Sequence, residues 1–236
     1  MVLVFAESQK GHIKKAALEA VTYGKKVATM LGSGCVAVTL GTGIAGADVL
    51  GQYGADRVLN VGDTDLNNFD SQLYAAVLGS IAKQLGATVV VLSHTATGKS
   101  IAGRVAVRLG AGLVSGVNSL PSFEGSALRV KKSVFSGKAI GEFEINSAIK
   151  VISLMGNAVR PEITGASVAV ETVKGDVPAG RIRVKSVKTQ EGIVPLPEAE
   201  LVVSAGRGMK EASIIQNLLG TSLDPMRNAD QAPPLS

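Results

Sequence analysis

A strand-to-helix turn containing Gly-Lys-Ser is the first candidate for a chemical site in the sequence. The segment "SHTATGKSIAGRVAVRL" (93–109) follows the apolar run "GATVVVL" (86–92). A strand, a loop that ends in Gly-Lys-Ser and a helix are the layout of a loop that wraps nucleotide phosphates with backbone N–H groups. Such a loop would make the protein a nucleoside triphosphatase.

The glycine pattern of this turn excludes that chemistry. The motif G-x-x-x-x-G-K-[ST] requires a glycine at position 93, which holds Ser93, and residues 94–96 all carry a Cβ that hinders the tight wrap. The backbone N–H groups of a strand-to-helix turn still attract anions. Arg104 and Arg108 lie four residues apart on one helix face, which is either a solvated surface or an interface with an acidic partner.

A second turn, "GTGIAG", has the glycine spacing of a dinucleotide-binding site. Gly41, Gly43 and Gly46 match G-x-G-x-x-G and directly follow the strand pattern "CVAVTL". An acidic residue about twenty residues further on would bind the ribose, and Asp63 and Asp65 lie at that distance. In a chain with 28 glycines, the spacing also arises by chance. The turn supports the hypothesis of a dinucleotide-dependent oxidoreductase without establishing it.

The remaining reactive residue types form no catalytic pattern. His12 and His94 have no Cys or carboxylate neighbour at metal-ligand spacing, and no serine lies in a G-x-S-x-G context. Glu7 ends the first apolar run, where it either caps the next turn or faces a cleft at the carboxyl edge of a sheet. Cys35 is the only cysteine, which excludes an internal disulfide, and its apolar surroundings predict a buried, unreactive thiol.

Strand and helix patterns alternate over the first 120 residues and define the elements that would position these side chains. Apolar runs predict strands within residues 1–8, 35–41, 57–63, 87–94 and 111–120. Helical spacing predicts helices within residues 12–32, 46–55, 67–86 and 99–110. This alternation implies right-handed crossovers and a parallel sheet with flanking helices, which is a Rossmann-like α/β fold.

The pattern changes after Pro121. Residues 128–145 alternate in hydropathy on both sides of Ser136 and Gly137, which predicts a β-hairpin. Three later segments also have extended patterns, namely "SAIKVISLM" (147–155), "SVAVETV" (167–173) and "RIRVKSVKT" (181–189). We therefore predict an antiparallel β appendix to the α/β sheet. The strand-to-glycine-loop pattern restarts at Leu201, and the proline-containing end after it is expected to fray.

Composition narrows the class of protein. The 236 residues are 46% hydrophobic and 18% charged, which excludes a disordered chain. With a net charge of +5 and only 3% aromatic residues, the chain lacks the stacking side chains typical of nucleic-acid binding. No apolar span reaches the roughly 18 residues of a membrane helix, and Met1 leads straight into the first apolar run without a targeting segment. We expect a cytoplasmic protein without membrane insertion.

Five segments, in this order along the chain, resemble the alpha subunit of electron transfer flavoprotein. They lie between Met1 and Lys210 and are "VFAES" (4–8), "GQYGADRVLNV" (51–61), "TATGKSIAGRVAVRLGAGLVSGV" (95–117), "VFSGKAIGEFEINSAIKVISL" (134–154) and "ELVVSAGRGMK" (200–210). Their joint order, rather than any one segment, makes the resemblance specific.

The resemblance implies two domains and a role in electron transfer. Residues 1–197 would form the N-terminal α/β domain, with antiparallel hairpins from about residue 121, and residues 198–236 would begin an FAD-binding domain. The alpha subunit pairs with a beta subunit that carries AMP. The heterodimer carries electrons from flavin dehydrogenases of the acyl-CoA type to a membrane-side quinone reductase. It is a carrier rather than an enzyme with its own substrate.

The loop "GRGMK" would supply the first part of the FAD site. By the resemblance, the binding residues are Gly206, Arg207, Gly208 and Lys210, with Arg207 near the flavin or its diphosphate. A guanidinium between two glycines suits such an anion. The chain departs from the family because the later Ser-Arg, Gln-Thr-Gly and Gly-rich segments are missing. We therefore expect a truncated FAD-binding domain that holds FAD weakly or not at all, and the alternative role is a cofactor-free scaffold that pairs with the beta subunit.

Overall fold

The computed structural model describes residues 1–180, 182 and 184–187. Its strands are β1 (Val2–Phe5), β2 (Ser8–Gln9), β3 (His12–Ile13), β4 (Cys35–Leu40), β5 (Arg57–Val61), β6 (Val89–Ser93), β7 (Gly112–Val117), β8 (Ser122–Glu124), β9 (Ala127–Val134), β10 (Ala139–Ile145), β11 (Lys150–Leu154) and β12 (Val170–Thr172). Its helices are α1 (Lys15–Met30), α2 (Ser71–Gln84) and α3 (Ala96–Leu109), with 3₁₀ helices at Ala47–Gly51 and Thr64–Asn67.

Seven strands form one parallel sheet in the order β12-β5-β4-β1-β6-β11-β7. Strands β4 and β5 add on one side of β1, and β6 returns to its other side. Helices connect the strands and cover the sheet, so the predicted Rossmann-like α/β fold is confirmed. The reversal of strand order between β1 and β6 marks the crevice where folds of this type most often bind ligands.

Apolar residues fill both faces of the sheet, which explains why its central strands have continuous apolar sequences. Every residue of β4 and β6 is buried. Along β1, Val2 and Val4 pack into the core under α1, whereas Leu3 and Phe5 pack into the core under α2 and α3. A strand buried on both faces loses the polar alternation of a half-exposed strand.

All three α-helices begin at different residues from those predicted, and α2 begins at Ser71 rather than at Asn67. Helical spacing predicts a helix from residue 12, but α1 begins at Lys15 because His12–Ile13 pairs with Ser8–Gln9 in a short antiparallel hairpin. The pattern also predicts that the last helix of the α/β part begins at Lys99, but α3 begins three residues earlier. The Thr95 hydroxyl oxygen accepts a hydrogen bond from the Gly98 N–H and so caps the helix.

The assignment of two extended segments to the antiparallel appendix is wrong. Lys150–Leu154 forms β11, which lies between β6 and β7 and is parallel to both. Val170–Thr172 forms β12, which pairs in parallel with β5 at the opposite edge of the sheet. An extended segment does not specify the direction of its partner. The complete burial of β11 agrees with a central parallel strand.

The predicted hairpin of residues 128–145 is confirmed. Strands β9 and β10 pair antiparallel, and β8 adds on the other side of β9 to complete a three-stranded sheet. The turn contains Phe135, Ser136 and Gly137, all at positive φ. Leu128, Val130 and Ile145 are buried in the core cluster on the α1 side of the large sheet, so the hairpin is anchored by its own apolar face.

Part of the predicted organisation falls outside the described residues. This part includes the strand and glycine loop around residues 196–210, the fraying end and the domain boundary at 197–198. Within the described part of residues 181–189, no strand is formed. Among the helices of the described residues, none combines the length and apolar character needed to cross a membrane.

Candidate functional site

The chain's own side chains close the crevice between β1 and β6. Glu7 follows β1 and is only 5% exposed. One of its carboxylate oxygens accepts a 2.5 Å hydrogen bond from the hydroxyl of Thr95, which follows β6, and the other lies 2.9 Å from the ammonium of Lys14. Because both oxygens are bonded internally, Glu7 joins two strand ends and a helix start. Of the two sequence interpretations, this geometry favours the local structural role over a ligand-facing carboxylate.

The Gly-Lys-Ser residues lie in a helix and not in a phosphate-wrapping loop. Gly98, Lys99 and Ser100 form part of the first turns of α3. The N–H of Gly98 donates to the Thr95 hydroxyl oxygen, and the N–H of Lys99 donates to the Thr95 carbonyl oxygen, so neither faces a ligand. The glycine has a packing role, since a Cβ on Gly98 would overlap the Ser93 carbonyl oxygen.

The Gly41–Gly46 turn does not fit the dinucleotide fingerprint. Its Gly41 N–H donates to the carbonyl of Val61, its Thr42 N–H to the side chain of Asn67, and its Ala45 N–H to the carbonyl of Gly11. The helix that follows is a five-residue 3₁₀ helix, Ala47–Gly51, rather than the long α-helix whose N-terminus binds a pyrophosphate. Three of the turn's donors are thus already used within the fold.

One of the two candidate ribose-binding acids, Asp63, has a local role instead. The carboxylate of Asp63 accepts a hydrogen bond from the N–H of Asp65 and caps the second 3₁₀ helix. The Gly41–Gly46 turn and Asp63 therefore form no cradle for a dinucleotide, whether NAD or the adenosine half of FAD.

A histidine at the end of β6 contacts two neighbouring strands. The Nδ1 atom of His94 lies 2.8 Å from the Ser153 hydroxyl oxygen in β11, and the N–H of Gly116 in β7 donates to the same oxygen over 3.1 Å. Burial lowers the pKa of His94, and the positive charges of Lys99 and Lys132 lower it further. The imidazole is therefore held in its neutral form over a wider pH range than a free histidine.

The arginine pair on α3 is exposed, as the helical spacing predicts. Arg104 and Arg108 both lie on the outer face of the helix, next to Val107, which is 84% exposed. The aliphatic part of Arg108 packs over Gly79 of α2. Neither arginine forms an ion pair with another described residue, so the two sequence interpretations of this face both stay predictions.

The single cysteine is buried, as predicted. Cys35 is fully buried in β4, and this burial, together with the negative charge of Asp56 and against the positive charge of Lys25, raises its thiol pKa to about 12. Among the described residues, no group of His, Cys, Asp and Glu side chains has an arrangement that would hold a metal ion.

The four residues predicted to bind FAD all belong to the glycine loop at residues 206–210. Gly206, Arg207, Gly208 and Lys210 lie outside the described residues. Within the described part, no set of side chains forms an evident flavin cradle, because the polar groups at the β1–β6 crevice and the glycine turn bond to one another. The assignment of FAD contacts stays a prediction from the resemblance.

Sequence reasoning missed the partners of these polar residues. The spacing of residues in the sequence did not indicate that Thr95 and Lys14 hold Glu7. Nor did it indicate that the Ser153 hydroxyl contacts His94. They come from strands and loops that are distant in sequence. A serine between the apolar residues of the strand "KVISL" was the one available signal, since a buried hydroxyl needs a hydrogen-bond partner.

Comparison with known proteins places the fold in a family. The family model of the electron transfer flavoprotein domain matches residues 2–178, well over half of the chain and nearly all of the described part. The chain belongs to the electron transfer flavoprotein domain family. The resemblance found in the sequence is thereby confirmed at the level of the family.

Three relatives resemble the chain along most of its length. Protein FixB of Clostridium saccharobutylicum is 28% identical over 214 residues, covering 88% of this chain and 64% of the relative. The electron transfer flavoprotein subunit alpha of Bacillus subtilis is 28% identical over 243 residues, which cover 98% of this chain and 73% of the relative. The electron transfer flavoprotein subunit alpha of Mycobacterium leprae is 32% identical over 238 residues, which cover 96% of this chain and 72% of the relative. The chain thus spans less than two thirds of FixB and somewhat more of the two alpha subunits.

Proposed function

We propose that this chain is the N-terminal, scaffold-forming part of an electron transfer flavoprotein alpha subunit. The observation that carries the proposal is the match of the electron transfer flavoprotein domain to residues 2–178, which coincides with the parallel sheet and its helices. The closed crevice at Glu7 and Thr95 supports a scaffold role for these residues, because it leaves the β1–β6 strand ends bonded to each other rather than to a substrate.

The redox group of the complete protein would be FAD. It supplies the capacity to take up and give back electrons, and the chain's part is to hold it and to place it between partners. Gly206, Arg207, Gly208 and Lys210 would contribute the first contacts, with the Arg207 guanidinium beside the diphosphate or the reduced flavin. In the chain of 236 residues, we expect these contacts to hold FAD weakly or not at all.

The proposed partners follow from the alpha-subunit assignment. A beta subunit of electron transfer flavoprotein would pair with the α/β part, flavin dehydrogenases of the acyl-CoA type would donate electrons, and a quinone reductase would accept them. The names of the Bacillus and Mycobacterium relatives support the subunit assignment. The role is that of a carrier in the cytoplasm, not of an enzyme with its own substrate.

Two measurements test the proposal. The first mixes the purified chain with a bacterial electron transfer flavoprotein beta subunit and measures complex formation by analytical ultracentrifugation. A heterodimer is expected, and two separate species at micromolar concentrations would overturn the pairing role.

The second measurement records the visible absorption spectrum of the chain before and after FAD is added and the excess is removed. A protein that stays colourless agrees with a scaffold whose flavin contacts lie mostly in the rest of the alpha subunit. A retained flavin band that disappears in Arg207→Ala but persists in Arg160→Ala would assign the binding to the GRG loop instead. A band that persists in both variants would contradict the predicted FAD residues.

A further inference from the structure

The chain's excess of positive charge is concentrated on the two helices that cover one face of the sheet. Of its 24 Lys and Arg residues, four lie in residues 71–123, whereas all 19 Asp and Glu residues lie elsewhere, so this segment carries +4 of the net charge of +5. The four are Lys83, in α2, and Lys99, Arg104 and Arg108, in α3, and all are exposed. The outer surface of α2 and α3 therefore has charges of a single sign.

These basic side chains have no acidic partners among the described residues. On the other face of the sheet, α1 pairs two of its lysines, because Lys25 lies 2.6 Å from a carboxylate oxygen of Asp56, and Lys26 lies 2.7 Å from one of Glu162. Like charges four residues apart on a helix repel each other and lower its stability. The pair of arginines on α3 has this spacing, so folding does not benefit from it, whereas a bound acidic group would relieve the repulsion.

An uncharged strip runs along α3 beside the two arginines. With 3.6 residues per turn, Gly103 and Val107 lie between Arg104 and Arg108 on one side and Lys99 on the other. Val107 is 84% exposed and is the only exposed large apolar residue of α2 and α3. Open space surrounds the position of a Cβ at Gly103, so a partner can approach the helix closely there.

Helix α2 extends the basic surface beyond α3. A Cβ added at Gly79 would lie 3.4 Å from the Cβ and 3.6 Å from the Cδ of Arg108, so the aliphatic part of this arginine crosses onto α2. Lys83 follows Gly79 by one turn on the same side of α2. Arg104 and Arg108 are themselves one turn apart, about 6 Å along the axis of α3. Three basic groups from two packed helices thus lie beside one uncharged strip.

An acidic protein segment fits this face better than a membrane or a nucleic acid does. Protein interfaces combine an apolar centre with arginine, which they favour over lysine. Helices that lie on membranes bury several large apolar side chains, whereas this face has Val107 alone. Proteins that bind single-stranded nucleic acids stack the bases on aromatic side chains, and the exposed residues of α2 and α3 include no aromatic one.

We propose that the face formed by Lys83, Arg104, Val107 and Arg108 binds an acidic helix of a protein partner. Glutamates four residues apart on such a helix have the same spacing as the two arginines, which allows two charge-assisted hydrogen-bond contacts. An apolar residue between the glutamates covers Val107. The surface is distinct from the residues predicted to bind FAD, and the proposal does not depend on the electron-transfer role.

A synthetic acidic helix is the probe for this face. A fluorescently labelled helical peptide, with glutamates four residues apart and leucine between them, is titrated with the 236-residue chain at low ionic strength. Fluorescence anisotropy should show saturable binding. The same peptide with glutamine in place of glutamate should bind about tenfold more weakly, because the ionic contacts are lost. Absence of saturable binding of the glutamate peptide would overturn the proposal.

Charge-neutral variants distinguish a defined face from general attraction by net charge. Arg104→Gln and Arg108→Gln should each weaken binding of the glutamate peptide by about two- to fivefold, since each removes one partly solvated ionic contact. Glutamine at position 108 keeps the Cβ and Cδ carbons that pack on Gly79, so the fold is retained. Arg160→Gln is the matched control, since Arg160 is exposed and follows Val159, which packs on the α1 side of the sheet. Equal weakening in all three variants would overturn the assignment.

Two further measurements locate the bound peptide and identify the class of partner. In amide NMR spectra, the signals of Gly103 and Val107 should shift in a saturable way, whereas that of Gly24, buried in α1 on the opposite face, should stay in place. Shifts confined to the α1 side would contradict the proposed face. Phosphatidylserine vesicles and duplex DNA should bind more weakly than the glutamate peptide. Tighter binding of either, with the same loss in Arg104→Gln, would assign the face to a membrane or a nucleic acid and overturn the protein partner.

Discussion

The backbone of Gly98 packs directly on the carbonyl oxygen of Ser93, so closely that a Cβ added at Gly98 would overlap that oxygen. This contact brings the first turn of α3 onto the end of β6. The contact explains why the Gly-Lys-Ser sequence contains a glycine, since a larger residue would not fit between the strand and the helix. Close packing of a strand against a helix is a common reason for a glycine at such a turn.

Gly98→Ala should therefore destabilise the fold strongly. We expect the free energy of unfolding to fall by about 3 kcal/mol, because the carbonyl of a central strand cannot move away without disturbing the sheet. Gly103→Ala is the matched control in the same helix, since no atom beyond the adjacent residues and the backbone of α3 lies within 4 Å of the added Cβ. It should raise the stability by about 0.5–1 kcal/mol through helix propensity. Urea unfolding followed by circular dichroism measures both, and equal effects would contradict the packing explanation.

The Thr95 hydroxyl should contribute more to the stability of the fold than the Thr95 methyl group does. It caps α3 and donates to Glu7 at the same time, so Thr95→Val should lower the free energy of unfolding by about 1–2 kcal/mol. Thr95→Ser keeps the hydroxyl and should retain most of that stability. Chemical denaturation of the two variants beside the unmodified chain provides the comparison. If Ser proved as destabilising as Val, packing of the methyl group would be the cause instead.

Cys35 should resist thiol reagents in the folded chain. Its pKa of about 12 keeps the thiolate rare near neutral pH, and its burial excludes the reagent. We expect reaction with a coloured disulfide reagent to be slower by several orders of magnitude than in the chain unfolded with urea. Because Cys35 is the only cysteine, the absorbance reports this residue alone. Rapid reaction of the folded chain would show that β4 opens readily.

His94 should make the fold less stable in mild acid. Burial, Lys99 and Lys132 lower its pKa below the ordinary value of 6.5. The folded state then binds fewer protons than the unfolded state, so the stabilising contribution is present above pH 6.5 and is lost as the pH falls through the folded-state pKa. In His94→Gln, stability should fall less between about pH 7 and pH 5 than in the unmodified chain. His12→Gln is the control, and an equally reduced pH dependence there would contradict the assignment.

The parallel sheet was predictable because its strands are apolar on both faces and alternate with helical patterns. The same reasoning failed for Lys150–Leu154 and Val170–Thr172, which join the parallel sheet after a long excursion of the chain. No local pattern states which strand a segment pairs with, or in which direction. That choice depends on the edge or gap left by the strands already in place, and here β11 fills the gap between β6 and β7.

Short-range periodicity, composition and the order of segments were enough to predict the Rossmann-like α/β sheet, the buried cysteine, the hairpin at residues 128–145 and the electron transfer flavoprotein family. The contacts of the polar residues could be identified only from the folded structure. There Glu7 is held by Thr95 and Lys14, Gly98 packs on Ser93, and His94 contacts the Ser153 hydroxyl. Hydrogen bonds and charges act over a few ångströms, and only folding brings residues 59 or 88 positions apart within that distance.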